Sequence, residues 1–183
     1  PLHRFLNLFG TPNNMGIGQI CWNPRIWMDV ITFGWTVEAD IVPGLTECLF
    51  IWGTNPADSD NSSFWQFLRE YSKEEMGTLV VIDPCYTRMA SLAARWIPVL
   101  PGTDVVFALS LLNVIIEEDL YDHEFVETWC HGFDELAQHV KAFPPAIAAP
   151  RCGVSKDDIY FAARTFANAR ASALVSGRGI DQV

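Results

Sequence analysis

The sequence predicts an α/β fold, a three-layer α/β/α sandwich around a mostly parallel sheet. Two observations carry this. "ECLFIWG" (47–53) and "TLVVIDP" (78–84) are continuous apolar runs of strand length. Such runs mark strands covered on both faces, which parallel sheets require. Each is followed by a polar turn and then a segment of helical character, the alternation that builds parallel sheets with right-handed crossovers.

The elements follow in order. The first 45 residues form a leading segment that reads as loop-rich, because "FGTPNNMGIGQICWNPR" is dense in Gly, Pro and Asn. Within it, "RIWMDVITFG" has the length of a short helix stopped by Gly34. Residues 46–183 form the α/β unit. After the first strand, Ser62 or Ser63 is placed to cap a helix "SSFWQFLREYSKEEM", with Gly77 as its stop. After the second strand, "YTRMASLAARW" has helical composition with Thr87 near its start, and "WIPVLPGTD" fits a short strand and turn.

From Asp104, "VVFALSLLNVIIEEDL" is a strongly apolar helix. "YDHEFVETWC" and "FDELAQHV" are two shorter helices, and "FPPAIAAPRCG" is a Pro-rich linker. "SKDDIYFAARTFANAR" opens on a capping box, Ser155 with Asp158, and keeps Ile159, Ala162, Ala163 and Phe166 on one face. "SALVSGRG" is a last strand ending in a glycine loop. The resulting sheet is Rossmann-like.

Bulk properties narrow the function. The net charge is −10 and the pI about 4.7. That excludes a nucleic-acid binder, which needs a basic footprint, and disfavours an anionic membrane surface. It leaves a nucleotide ligand open, because backbone N–H groups can hold phosphates. No apolar run approaches the roughly 18 residues of a membrane span. Half the residues are hydrophobic and seven are Trp, more than an isolated 183-residue domain needs. The first residue is Pro1, and no signal-peptide pattern follows. A piece of a longer protein is the expectation, and localisation is left unassigned. The five cysteines are odd in number and contain no C-x-x-C pair, which argues against a disulfide framework and a self-contained metal cluster.

Parallel sheets bind ligands beyond the carboxyl ends of their strands. Four turns fall there: Gly53–Asp58, Asp83–Thr87, Pro101–Asp104 and Ser176–Gly179. Gly53 admits close backbone approach, and Asn55 offers both a donor and an acceptor. Asp83 sits where a ribose-binding carboxylate is common, but before Pro84 it also suits an Asx-turn. Asp104 can accept the paired N–H groups of a guanine edge, or it can serve as a helix N-cap. Gly102 fits turn chemistry. The glycine spacing is not G-x-G-x-x-G, which disfavours an ordinary NAD or flavin domain.

Taken together, "GTPN", "QICWNPR", "LFIWGTNPADS", "IDPCYT", "PGTD" and the terminal "SGRG" resemble the molybdopterin oxidoreductases of the dimethyl sulfoxide reductase and formate dehydrogenase superfamily. The likeness runs over nearly the whole chain. It implies a molybdenum or tungsten centre on two molybdopterin guanine dinucleotides, one of them held by this α/β unit. Gly53, Thr54 and Asn55 would lie along the pterin and pyrophosphate, Asp83 and Thr87 near ribose and phosphates, and Gly102 and Asp104 near guanine. Cys21 falls where many members carry the metal ligand, and a thiolate suits such a centre; the alternative is a buried structural thiol. Arg25 would either hold an oxyanion substrate or pair with an acid.

The sequence also departs from the pattern. Trp22 stands where some members have a His linked to formate oxidation, and Cys85 stands where an Arg is frequent. Cys85 reads as a passive thiol; His123, His131 and His139 read as surface or capping residues. The four-cysteine motif for a [4Fe–4S] cluster and the second dinucleotide half-site are expected in missing parts of the protein. The implied activity is that of a dehydrogenase or reductase with a small-molecule substrate and an iron–sulfur electron-transfer partner, inactive as this segment alone. Two alternatives stay open: a tungsten-dependent hydratase of the same superfamily, and a metal-free relative like the large iron–sulfur subunit of respiratory complex I.

Overall fold

In a computed structural model, residues 2–13, 16, 18–36, 41–59, 63–73 and 76–181 are described. The chain divides into two compact units, Pro1–Glu38 and Ala39–Asp181. In the first, α1 (Leu2–Phe9) and α2 (Gly18–Cys21) stand where loops are expected, and α3 (Asn23–Phe33) is the expected short helix. Pro24 in the first turn of α3 needs no N–H partner there, and Gly34 ends the helix in the left-handed conformation at φ 79°. The Gly and Pro residues thus mark helix ends rather than a continuous loop.

The second unit is built on four parallel strands, β1 (Cys48–Trp52), β2 (Thr78–Ile82), β3 (Arg95–Ile97) and β4 (Ser172–Ser176), in the order β3-β2-β1-β4. Around them lie α4 (Pro56–Ser59), α5 (Ser63–Lys73), α6 (Asp104–Glu117), α7 (His123–Trp129), α8 (Phe133–Val140), α9 (Pro145–Cys152), α10 (Lys156–Asn168) and α11 (Arg178–Asp181). Alternate side chains of the central strands feed two cores. Phe50, Trp52, Val80, Ile82 and Ile97 pack with α6, α9 and α10 residues such as Phe107, Val114, Ala148 and Ile159. Leu49, Ile51, Leu79 and Val81 face the other way, against Leu68 and Tyr71 of α5 and Met89. This is the expected three-layer sandwich.

Three local expectations change. Residues 86–96 do not form an α-helix. Thr87 Oγ1 accepts from Ala90 N at 3.2 Å, a single 3₁₀ turn spans Ala90–Leu92, and β3 begins at Arg95. Met89 and Ala90 are buried under the sheet, and Ala94 N already donates to Leu79 O at 2.9 Å. Sheet pairing therefore claims the end of the segment before a second helical turn forms.

The segment 143–153 is not a linker but carries α9. Pro145 occupies its first turn, where a missing N–H costs nothing, and Gly153 closes it at φ 70°. Gly77 is not a left-handed helix stop. A Cβ there would meet Tyr71 Oη and Glu47 O, so it lets the α5 end and β1 start approach β2. Of the two cap candidates, Ser62 lies outside the described residues, and α5 begins at Ser63. The Ser155–Asp158 capping box forms as expected.

Candidate functional site

The turns after the four strands are stitched together at one end of the sheet. Gly53 N donates to Ile82 O (3.0 Å), Asp83 N to Ile97 O (3.2 Å) and Gly177 N to Trp52 O (2.9 Å). These bonds extend the parallel ladder past the strand ends, so the turns emerge side by side. Asp104 opens α6 and joins the same group: Trp52 Nε1 donates to Asp104 Oδ1 at 2.7 Å.

Gly53 adopts φ 61°, and the space where its Cβ would stand is filled by the Gly179 and Ile180 backbone. Gly179 N donates to Gly53 O at 3.0 Å. Gly177 in turn lies against Thr54, whose Cβ would be 2.4 Å from an added methyl. The glycines on both turns are thus needed for the turns to pack on each other. Gly53's missing side chain serves that packing; the approach of a ligand from that side is closed. Gly102 differs: its φ is 80°, and the space around it is open.

Asn55 anchors the first turn. Its backbone carbonyl accepts from Asp58 N and Ser59 N, and its Nδ2 donates to Asp58 Oδ2 at 2.7 Å. Its Oδ1 is buried and has no hydrogen-bond partner among the described residues. A buried acceptor without a donor is costly. A one-turn helix, α4, directly follows Asn55, earlier than the helix start expected near Ser62.

Asp83 makes the Asx-turn that its place before Pro84 allows: Oδ1 accepts from Cys85 N at 2.8 Å, and its carbonyl accepts from Trp96 Nε1 at 2.8 Å. Partial burial pushes its carboxyl above the usual range; the Cys85 N–H opposes this, and the negative charge of Asp104 adds to it. The two acids therefore feel each other across the strand ends. Asp104 is 8% exposed. It sits in the first turn of α6 after Thr103, which holds the N-cap position, so its carboxylate does not act as the cap. Thr87 Oγ1 is committed to the 3₁₀ turn described above.

Cys21 ends α2 and Arg25 lies in the first turn of α3, both within the first unit. Both are partly buried and make interactions with neighbouring groups. Among the described residues, no cluster of three or more His, Cys, Asp or Glu could hold a metal ion by itself. Cys85, His123, His131 and His139 are exposed. His123 pairs with Asp119 at 2.9 Å.

Three contributors escaped sequence reasoning. Trp52 was legible only as core, although an indole N–H ending a buried strand must find an acceptor. Asp58 and Arg88, paired at 3.5 Å across the β1 and β2 turns, carry no local signal at all.

A molybdopterin oxidoreductase family model matches residues 38–182. The chain belongs to the molybdopterin oxidoreductase family. It is 36% identical over 166 residues to the acetylene hydratase of Syntrophotalea acetylenica, covering 91% of this chain and 22% of that protein. It is 32% identical over 137 residues to formate dehydrogenase H of Escherichia coli, covering 75% of this chain and 19% of that protein. The solved structure of acetylene hydratase from Pelobacter acetylenicus superposes with a TM-score of 0.81 at 32% identity, covering 98% of this chain and 24% of that one. The chain therefore spans about a fifth to a quarter of the length of these molybdopterin-family relatives. No described helix is long and apolar enough to cross a membrane.

Proposed function

We propose that this chain holds one molybdopterin guanine dinucleotide of a molybdenum or tungsten bis-dinucleotide enzyme. The observation that carries the reading is the Trp52–Asp104 bond, which fixes a buried carboxylate beside Asp83 and next to the turn bearing the unpartnered Asn55 Oδ1. A nucleotide needs acceptors for guanine N–H groups and ribose hydroxyls, and these acids supply them. Gly53, Thr54 and Asn55 would lie along the pterin and pyrophosphate, Asp83 and Thr87 by ribose and phosphates, and Gly102 and Asp104 by guanine. The open space at Gly102 fits a base resting on the backbone.

Cys21 would ligate the metal, and Arg25 would orient substrate. When bound, the metal–dithiolene centre supplies two-electron transfer or Lewis-acid activation. This chain's own part is to bind and orient one dinucleotide and to offer a thiolate. The whole enzyme would act on a small molecule and pass electrons through an iron–sulfur group held elsewhere.

A second reading is a hydratase. It is favoured by the 36% identity to an acetylene hydratase, while Trp22 at the position after Cys21 weakens a formate dehydrogenase reading. Anaerobic purification of the full-length enzyme, with assay of molybdenum, tungsten and acid-released GMP, tests both; absence of metal and GMP sinks both. Cys21→Ala should abolish activity while GMP content stays. Turnover with a redox dye separates oxidoreductase from hydratase.

A further inference from the structure

We infer that Arg88 is the cation that receives a phosphate of the dinucleotide, giving up Asp58 to do so; the inference rests on the dinucleotide reading above. A diphosphate arriving at this end of the sheet meets Asp58, Asp83 and Asp104, on a chain of net charge −10. Those acids suit the nucleoside but repel phosphate. In the turns 53–59, 83–88, 101–104 and 176–179, Arg88 and Arg178 are the basic residues.

The two arginines differ in how they are held. Arg178 Nη1 lies 2.6 Å from Asp181 Oδ2, and the Asp181 side chain is only 6% exposed. Taking the guanidinium from that buried carboxylate would strand a charge. Arg88 reaches from the β2 turn to the β1 turn and meets Asp58 at 3.5 Å, both side chains being more than half exposed. Such a pair contributes little and exchanges readily for a better acceptor. The guanidinium also rests 5.4 Å from the centroid of the Trp65 ring, which keeps it at the rim with or without Asp58.

Asp58 is not stranded by the exchange, because it is exposed and keeps Asn55 Nδ2 at 2.7 Å. A guanidinium fork matches a phosphate better than a single carboxylate oxygen at that distance. The exchange would thus couple Arg88 to the same Asn55 whose Oδ1 awaits a donor.

Equilibrium titration of the full-length protein, stripped of cofactor, with guanosine diphosphate, guanosine and pyrophosphate tests this. Arg88→Ala should weaken guanosine diphosphate roughly tenfold, as loss of a charge-assisted bond does, and leave guanosine unchanged. Arg88→Lys should restore part of the loss. Asp58→Asn, which removes the competing charge, should tighten the diphosphate. Unchanged diphosphate affinity in Arg88→Ala overturns the assignment alone. An equal loss of guanosine binding also overturns it, since the residue would then be structural. Failure of the unsubstituted full-length protein to bind guanosine diphosphate overturns the dinucleotide reading and this one with it.

Discussion

Trp52 Nε1 donates to Asp104 Oδ1 at 2.7 Å, joining the last residue of β1 to the first residue of α6 across 52 positions of sequence. The indole ring also meets Phe107 edge-on, with centroids 5.5 Å apart. One side chain thus serves the core and aims a carboxylate.

Trp52→Phe separates the two roles. The aromatic contact survives, but a buried carboxylate loses its donor. Destabilisation of about 1–3 kcal/mol is expected by urea unfolding. Guanosine binding should fall further than pyrophosphate binding. Equal losses for both ligands would break the assignment of Asp104 to the base.

Asp83 gives a pH-dependent prediction. Its carboxyl is held above the ordinary value by burial and by Asp104. A carboxyl raised on folding stabilises the fold while protonated and loses that contribution as pH rises through its folded value. Asp83→Asn keeps an oxygen for the Cys85 N–H and removes the charge. It should raise the melting temperature at pH 7 and above, with the gain shrinking at acid pH, while weakening nucleoside binding. A melting temperature lowered at neutral pH would contradict this.

Two glycines should behave differently for geometric reasons. Gly177→Ala forces a methyl against Thr54 and the Gly53 carbonyl. Overpacking of this kind costs about 1–3 kcal/mol and shifts the first turn, so stability and ligand affinity should fall together. Gly102→Ala meets no atom but must hold φ near 80°. It should cost about 1–2 kcal/mol through backbone strain, and its methyl would stand where the base is proposed to rest, so guanosine binding should fall more than pyrophosphate binding. Thermal melts and the same titrations distinguish the two.

Ser155→Ala removes the hydroxyl that accepts from Asp158 N at 3.0 Å. Loss of about 1 kcal/mol in chemical denaturation is expected, without change in ligand binding.

The sheet was legible because its central strands are apolar on both faces, a signal that local sequence carries by itself. The capping box and the stop at Gly34 were legible for the same reason, since each depends on residues within one helical turn. The segment 86–96 was not. Its composition favours helix, but burial of Met89 and pairing of β3 with β2 prevailed. The proline-rich 143–153 misled in the opposite sense, because prolines in a first turn mark a helix as readily as a break.

At the candidate site, the residue types and their order along the chain were fixed by sequence. Asn55, Asp83 and Asp104 announce a polar rim after apolar strands. What only the tertiary structure decided is how they are held: Asp104 by Trp52, the β1 turn by Gly177 and Gly179, and Arg88 by Asp58 and Trp65. Those partners lie between 23 and 126 positions apart in the chain. Parallel pairing brings them to one end of the sheet, and local sequence carries no record of contacts made at that range.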